Sequence, residues 1–157
     1  MIRPAAAADA PQIAALWNAM IRDTTATFTP DEKTLVQIGA MIAGTDPFLV
    51  WAEGYQVLGF ARYFQFRGGA GYRHTAEHTI LLAPQARGQG GGRALMTAIA
   101  DHARAAGRHS LIAGVSGENA AGIAFHAACG FQTVATLPEM GWKFGRWLDL
   151  VLMLKRL

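Results

Sequence analysis

Two periodicities divide the chain into helical and extended segments. Apolar residues spaced three and four positions apart predict four helices, the first behind the start signals Asp9 and Pro11 and the others over residues 30–43, 94–106 and 119–128. Short runs rich in β-branched and aromatic residues predict seven strands, at residues 1–4, 48–53, 56–66, 72–82, 110–115, 131–137 and 147–154. The order β-α-α-β-β-β-α-β-α-β-β predicts an α/β fold in which helices cover both faces of a mixed sheet.

Composition and charge narrow the class of protein. The chain has 157 residues, 52% of them hydrophobic and 16% charged, which predicts a single domain over residues 1–157. No apolar run reaches the ~18 to 20 residues of a membrane span and the first residues lack a signal-peptide pattern, so we expect a cytoplasmic protein without membrane contact. Basic residues are scattered singly despite the net charge of +3, which argues against nucleic-acid binding. Cys129 is the only cysteine, which excludes an intrachain disulfide and a cysteine-based zinc site.

A glycine-rich loop lies between the fourth predicted strand and the third predicted helix. It reads Arg87-Gly88-Gln89-Gly90-Gly91-Gly92-Arg93. Glycines let backbone N–H groups approach a ligand, and the following helix adds its free N–H groups and the positive end of its dipole. The loop therefore predicts a phosphate or pyrophosphate site rather than a flexible linker. Dinucleotide and triphosphate loops are excluded, because position 93 is not glycine and no Gly-Lys-Ser/Thr follows.

The spacing of this loop, Arg-x-x-Gly-x-Gly, resembles the acyl-CoA pyrophosphate loop of the GNAT superfamily of N-acetyltransferases. Two further motifs are Tyr72-Arg73-His74-Thr75-Ala76-Glu77-His78-Thr79 and Gly141-Trp142-Lys143-Phe144-Gly145-Arg146-Trp147-Leu148-Asp149. Both resemble segments of the phosphinothricin and methionine sulfoximine N-acetyltransferases. The resemblance implies a GNAT-type, mostly antiparallel sheet, acetyl-CoA as the acetyl donor, a small amino-acid-like amine as the acceptor, and a homodimer.

Residues 74–78 also spell a His-x-x-Glu-His motif, which is typical of one class of zinc peptidase. That motif needs a helix, in which the two histidines share one face. The β-rich residues that follow predict a strand instead, in which His74 and His78 lie roughly 13 Å apart, too far to share one metal ion. We therefore predict no metal site.

A general base is needed, because the ammonium group of an amino acid cannot attack a thioester before it loses a proton. Glu77 matches the catalytic carboxylate of the family, and strand alternation places it on the face of Arg73, away from His74 and His78. The alternative is a simple ion pair with Arg73. The resemblance implies that Glu77 is the base, either with a pKa raised by burial or through a water molecule.

The other donor-site residues follow from the resemblance. The backbone of Ile80, Leu81 and Leu82 is expected to bind the pantetheine arm, in a gap beside the next strand, and to donate N–H groups to the oxyanion. The pyrophosphate is expected to contact the loop residues Arg87, Gly88, Gln89, Gly90, Gly91, Gly92 and Arg93. Asn119 is expected to contact the cofactor near its thiol end, to act as the N-cap of the helix that follows, or to do both. His126 is expected near the leaving thiolate or in simple packing.

An acceptor with a carboxylate and a second polar group requires cationic partners. Arg73 and Lys143 are the predicted anion partners. Phe28, Tyr72 and Trp142 are predicted to wall the pocket, with core packing as the alternative. The predicted acceptor residues are Phe28, Gly71, Tyr72, Arg73, Thr75 and Lys143.

Three positions depart from the family pattern. Gly91 stands where an aliphatic residue is usual, which predicts a looser helix start and weaker cofactor binding. Gly122 and Ala128 stand where relatives often carry hydroxyl groups.

Two other functions stay open, namely acetylation of another amine (a protein N-terminus, a polyamine or an aminoglycoside) and a non-catalytic acyl-CoA sensor. The cations Arg73 and Lys143, together with the carboxylate of Glu77, favour a small zwitterion that carries an extra anion as the acceptor. A non-catalytic sensor is expected to lack the general base, whereas Glu77 is present.

Overall fold

Seven strands and four helices form the architecture of the computed structural model, which describes all 157 residues. The strands are β1 (Ile2–Pro4), β2 (Phe48–Glu53), β3 (Gln56–Gln65), β4 (Thr75–Leu82), β5 (Ser110–Ser116), β6 (Gln132–Lys143) and β7 (Arg146–Arg156). The helices are α1 (Ala10–Asp23), α2 (Leu35–Ala43), α3 (Gly91–Ala105) and α4 (Ala120–Ala128). Single 3₁₀ turns lie at Ala7–Asp9, Ala70–Tyr72 and Pro84–Ala86. The predicted order of elements is confirmed.

One sheet contains all seven strands, in the order β1-β2-β3-β4-β5-β7-β6. Every neighbouring pair is antiparallel except β4 and β5, which are parallel. The parallel pair requires a crossover connection, and α3 provides it. The predicted mixed, mostly antiparallel sheet is therefore confirmed.

Apolar helix faces cover the sheet on both sides. On one side, α1 packs on β3 with α2 beside it, and the buried Ile13 and Ile38 share a cluster with Phe60. On the other side, α3 places Leu95 and Ile99 in a second cluster, against which α4 also packs. Full burial of such a side chain contributes about 1.5–3 kcal/mol, so the 3.6-residue spacing decides which face of each helix meets the sheet. None of the helices combines the length and the hydropathy that a membrane crossing needs.

The neighbouring strands β4 and β5 separate part-way along their length. Their parallel pairing joins only residues 75–77 to residues 110–112. Beyond this point β5 stays paired with β7 as far as Ser116, and β4 stays paired with β3 as far as Leu82. The two edges that face each other are therefore unpaired, and a gap opens in the middle of the sheet.

The second helix is shorter than the sequence predicts. It begins at Leu35 rather than at residue 30, because Thr34 forms a capping box with Gln37, with hydrogen bonds of 3.1 and 2.9 Å. The backbone just before it is held by Asn18 of α1, whose side chain bonds the N–H and the C=O of Lys33 at 2.7 and 2.9 Å. Residues 24–34 are consequently a loop.

The fourth strand also begins later than predicted, at Thr75, because Ala70–Tyr72 form a 3₁₀ turn. Arg73 and His74 precede the strand, and Arg73 Nε donates to His74 Nε2 at 2.9 Å. The alternative ion pair between Arg73 and Glu77 is not formed, since no ion pair of the protein includes Glu77.

The terminal hairpin is longer than predicted. The expected end near residue 137 is instead a bulge, where the register between β6 and β7 shifts and the strand continues to Lys143. Phe144 and Gly145 form the turn, with φ angles of 51° and 73°. These angles fit a two-residue type I′ hairpin turn, which keeps the strands paired to their tips.

Candidate active site

Two adjoining cavities occupy the gap between β4 and β5. The larger has a volume of about 500 Å³ and is lined by Arg87 and Gly88, so we call it the loop cavity. The smaller has a volume of about 290 Å³ and is lined by Glu77, and we call it the Glu77 cavity. The residues that line both are Met20, Ala26, Ile80, Leu81, Asn119 and His126. The shared lining makes the two cavities one continuous cleft.

Free backbone N–H groups lie at the glycine-loop end of this cleft. Gly88 and Gly90 have φ angles of 76° and 84°, which residues with side chains rarely adopt, and α3 begins directly afterwards. No side chain caps this helix, and Ala94 N donates to Gly90 O at 3.1 Å as its first internal hydrogen bond. The N–H groups of residues 91–93 therefore have no helical partner and can bind an anion at the positive end of the helix dipole.

The polar side chains of the loop have different partners. Arg87 lines the loop cavity and forms no ion pair. Arg93 donates to Ala128 O at 3.4 Å, a long hydrogen bond. Gln89 donates to Gln85 O at 2.8 Å, which turns its amide back onto its own loop. Arg87 is consequently the cation best placed to meet an anion in the cavity.

The start of α3 packs tightly on the sheet. A Cβ atom at Gly91 would overlap the ring of Trp51, and one at Gly92 would lie 2.8 Å from Leu82 Cδ1. The looser helix start expected from Gly91 is not observed, because this residue is buried within α3. Its missing side chain instead makes room for the indole of Trp51.

The edge of β4 that faces the gap carries unpaired backbone groups. Ile80, Leu81 and Leu82 all line the loop cavity. Because β5 has already diverged at this level, the N–H and C=O groups that β4 directs toward β5 have no strand partner. An extended ligand with amide groups can hydrogen-bond there in the way that another strand would.

The carboxylate of Glu77 lies where the two strands begin to separate. Glu77 is half-buried, and its Oε1 would lie 3.2 Å from a Cβ atom placed on Gly114 of β5. Burial raises the pKa of this carboxyl group above its usual range. A half-buried carboxylate without a cationic partner is better suited to accept a proton than an exposed or ion-paired one.

Two buried histidines form a chain of hydrogen bonds behind the cleft. Nδ1 of His126 lies 2.7 Å from Gly122 O, and Nε2 of His126 lies 3.0 Å from Nε2 of His78. The carbonyl oxygen requires a proton on Nδ1 of His126, so its Nε2 accepts from His78, whose own Nδ1 then has no partner. Both nitrogens of His126 are therefore engaged, and the ring has no free N–H for a leaving thiolate.

Both histidines are neutral near pH 7. Burial is the main reason that the pKa of His78 is lowered to about 3; repulsion from His126, in the protonated form of that ring, lowers it further, and the Ile112 backbone has a smaller opposing effect. Burial also lowers the pKa of His126. The pair thus adds no positive charge to the cleft.

Asn119 caps α4 at the junction of the two cavities. Its Oδ1 accepts from Gly122 N at 2.9 Å, which confirms the capping role predicted from the sequence. A Cβ atom at Gly122 would collide with the amide of Asn119. Glycine at position 122 therefore permits the cap.

Lys143 is engaged in holding the loop of residues 24–34. Its Nζ donates to Thr24 O at 2.6 Å, to Thr27 O at 2.9 Å and to Thr27 Oγ1 at 3.0 Å. Burial lowers the pKa of this lysine. Three oxygen acceptors occupy the three N–H donors of the ammonium group, so this geometry favours a role in fixing the loop over contact with an acceptor anion.

The remaining predicted acceptor residues lie outside the two cavities. Phe28 packs on Gly141, Trp142 packs against Trp147 with ring centroids 4.8 Å apart, and Trp142 is 54% exposed. The other predicted residues sit at the start of β4 or on the exposed turn before it, namely Gly71, Tyr72, Arg73 and Thr75. Their contact with an acceptor stays a prediction.

Several residues of the Glu77 cavity were not identified from the sequence. They come from α1 and from the loop after it, and are Trp17, Met20, Ala26, Thr27, Thr29 and Lys33. Lys33 is the only lysine or arginine that lines this cavity. The helical pattern assigned Lys33 to the start of α2, so its place beside the cleft had no local signal.

Metal and thiol chemistry find no support in the site. No three His, Cys, Asp or Glu side chains are grouped to hold a metal ion. His74 Nδ1 contacts Gly107 O at 2.8 Å whereas His78 contacts His126, so the two histidines of the zinc-like motif have separate surroundings. Burial raises the pKa of the Cys129 thiol, which opposes formation of a nucleophilic thiolate.

Comparison with known proteins decides the family. Residues 13–131 match the Acetyltransferase (GNAT) family. The chain belongs to the GNAT family of acetyltransferases. This GNAT acetyltransferase is 38% identical over 140 residues to an L-methionine sulfoximine/L-methionine sulfone acetyltransferase of Salmonella typhimurium, and the match covers 89% of this chain and 78% of that relative.

Solved GNAT structures share the fold over the full chain. A phosphinothricin acetyltransferase from Sinorhizobium meliloti, in complex with AcCoA, is 31% identical with a TM-score of 0.93, covering 100% of this chain and 88% of that one. A ribosomal-protein-alanine N-acetyltransferase from Brucella melitensis is 38% identical with a TM-score of 0.95, covering 100% and 99%. The predicted family, fold class and enzyme class are confirmed.

Proposed function

We propose that this GNAT acetyltransferase moves the acetyl group of acetyl-CoA to the α-amino group of a small amino-acid-like acceptor, of the methionine sulfoximine, methionine sulfone or phosphinothricin type. The position of Glu77 carries the proposal, because it puts an unpaired, half-buried carboxylate where β4 and β5 separate. The names of the Salmonella and Sinorhizobium relatives support the acceptor class. The cytoplasm is the predicted location.

The chemistry of the loop cavity fits acetyl-CoA. Arg87 and the free N–H groups of residues 91–93 suit the pyrophosphate, and the unpaired edge from Ile80 to Leu82 suits the amides of the pantetheine arm. Asn119, at the junction with the Glu77 cavity, then lies toward the thioester end. Acetyl-CoA supplies an acetyl group that is already activated, so no covalent enzyme intermediate is needed.

Proton transfer gives Glu77 its role. The acceptor ammonium group passes a proton to the Glu77 carboxylate, directly or through water, and the freed nitrogen attacks the thioester carbonyl. The C–N bond forms, the C–S bond breaks, and coenzyme A leaves as the thiolate. The thiolate takes the second proton from the nitrogen, so the products are the neutral amide and the thiol of coenzyme A, and Glu77 returns its proton to water. Backbone N–H groups in the stretch from Ile80 to Leu82 donate to the negative oxygen that develops during the attack. The raised pKa of Glu77 improves the match between base and ammonium.

We also propose a homodimer. The β6–β7 hairpin exposes Met140, Trp142, Phe144 and Trp147, each to 54–59%. An exposed apolar group of this kind is typical of a protein interaction surface. Light scattering is expected to give twice the chain mass of 16.8 kDa, and Trp147→Glu is expected to give the single-chain mass. A monomeric wild-type protein would contradict the dimer.

The Brucella neighbour favours a second candidate, acetylation of an N-terminal alanine of a protein. A peptide chain needs an open groove, whereas the Glu77 cavity holds about 290 Å³ between α1, the following loop and the two strands. This volume suits a single amino acid better than a peptide chain.

Release of thiol from acetyl-CoA tests the acceptor class. The acceptors to compare are methionine sulfoximine, methionine sulfone, phosphinothricin, an alanine-terminated peptide, a polyamine and an aminoglycoside. We expect the three amino acids to give the highest kcat/KM. Turnover of the peptide alone would support the second candidate, and no turnover with any amine would leave only an acyl-CoA-binding protein.

A further inference from the structure

We propose that Lys33 binds the carboxylate of the acceptor and thereby selects amino acids over amines that lack a carboxylate. The inference rests on the proposed function, because it concerns the same acceptor. It differs from the sequence-based expectation, in which Arg73 or Lys143 binds this anion.

The Glu77 cavity is lined by one anionic and one cationic side chain, which can pair with the two opposite charges of a zwitterion. Of the residues that line it, Glu77 is the only carboxylate and Lys33 is the only lysine or arginine. His78 and His126 also line it, but burial keeps both neutral near pH 7. An α-amino acid can therefore direct its ammonium group toward Glu77 and its carboxylate toward Lys33, and one cavity satisfies both charges.

Lys33 has no anionic partner within the protein. None of the ion pairs includes it, and no hydrogen bond from its Nζ is formed, although the adjacent Glu32 pairs with Arg22 at 2.7 Å. Its Nζ lies 5.4 Å from the centre of the Trp17 ring, which is buried in the core. This contact holds the ammonium group at the cavity while leaving its N–H donors free for a ligand.

Rigid neighbours fix the position of this cation. The two hydrogen bonds between the side chain of Asn18 and the backbone of Lys33 tie this residue to α1, directly after Trp17. By contrast, Lys143 uses its three donors on the loop, and Arg73 lies on an exposed turn outside the cavities. Lys33 is thus the pre-positioned cation that the acceptor meets.

The test compares methionine sulfone with its α-carboxamide, which keeps the amine and the sulfone but loses the negative charge. We expect Lys33→Gln to lower kcat/KM for the acid by about 10- to 100-fold, mainly through KM, because one charge-assisted hydrogen bond is lost. The carboxamide is expected to change less than about 3-fold. Lys33→Arg is expected to restore part of the activity with the acid.

Arg104→Gln is the control, since it removes one positive charge from an exposed side chain of α3 that lines neither cavity. It is expected to leave kcat/KM for the acid unchanged. Equal losses for acid and carboxamide in Lys33→Gln would overturn the proposal, because they indicate a merely structural effect.

Calorimetric titration of methionine sulfone into the unreacted enzyme provides a second readout that does not depend on turnover. Lys33→Gln is expected to weaken this binding by a similar factor, and unaltered binding would overturn the proposal. Wild-type protein that binds the acid through Lys33 but acetylates no amine would contradict the proposed function alone. Wild-type protein that neither binds nor acetylates it would contradict both.

Discussion

The buried pair of His78 and His126 leads to a specific expectation for stability in acid. Burial lowers the pKa of His78 to about 3 in the folded protein, against the ordinary 6.5 in the unfolded chain. Between these two values the unfolded chain binds a proton that the folded chain does not, so the free energy of unfolding falls as the pH falls. The contribution is fully present above pH 6.5 and is lost progressively toward pH 3.

The linkage relation gives the size of this loss. Each pH unit below 6.5 removes about 1.4 kcal/mol for one such group, so His78 alone removes about 3 kcal/mol by pH 4.5. His126, whose pKa burial also lowers, adds a loss of the same sign. Because domains unfold with a total of about 5–15 kcal/mol, the effect is a large share of the stability.

Urea unfolding at pH 7.5, 6.5, 5.5 and 4.5 measures this effect. The comparison is between the wild type and His78→Gln, which keeps an N–H donor for His126 but does not titrate. The stability difference between the two proteins is expected to shift by about 3 kcal/mol in favour of the variant from pH 6.5 to 4.5. The exposed His109 gives the control His109→Gln, which should follow the wild type. Parallel pH dependence of the wild type and His78→Gln would refute the reasoning.

Three further expectations concern the cofactor loop and the absence of a metal requirement. Gly90→Val puts a branched side chain at a φ of 84° beside the anion site, so KM for acetyl-CoA should rise while KM for the amine stays nearly constant; the reverse pattern would place the cofactor elsewhere. Gly91→Ala should cost about 1–3 kcal/mol of unfolding free energy through collision with Trp51, and should cost clearly less in a Trp51→Leu background. An equal cost in both backgrounds would contradict that contact. EDTA should leave the rate of thiol release unchanged, because no three metal-ligating side chains are grouped together, and a loss restored by a divalent ion would contradict this prediction.

Local patterns in the sequence predict those features that depend on neighbouring residues. The helical spacing of α1, the glycine loop before α3 and the cap at Asn119 all belong to this class, and the structure contains each of them. The start of α2 is the exception, because the capping signal at Thr34 competes with the proline and acidic residues at 30–32. Where two possible N-terminal signals lie close together, the sequence alone does not show at which of them the helix begins.

Contacts between distant residues have no such local signal. Lys143 bonds Thr24 and Thr27, which lie 119 and 116 positions away, and His78 meets His126 across 48 positions. The gap between β4 and β5 was expected only from the family resemblance, since the residues of β4 do not reveal which edge is unpaired. The Glu77 cavity therefore differs most from the expectation, because it is built from α1, a loop and two diverging strands.

The role of Glu77 as the general base is the central claim, and the kinetics of Glu77→Gln test it most directly. Gln has nearly the same shape and cannot accept the proton, so kcat near neutral pH should fall by about 10²- to 10⁴-fold. The affinity for acetyl-CoA, measured by calorimetry, should stay nearly unchanged because the loop cavity is intact. Activity of the variant should recover in part as the pH rises and free amine becomes available. An unchanged kcat in Glu77→Gln would contradict the account.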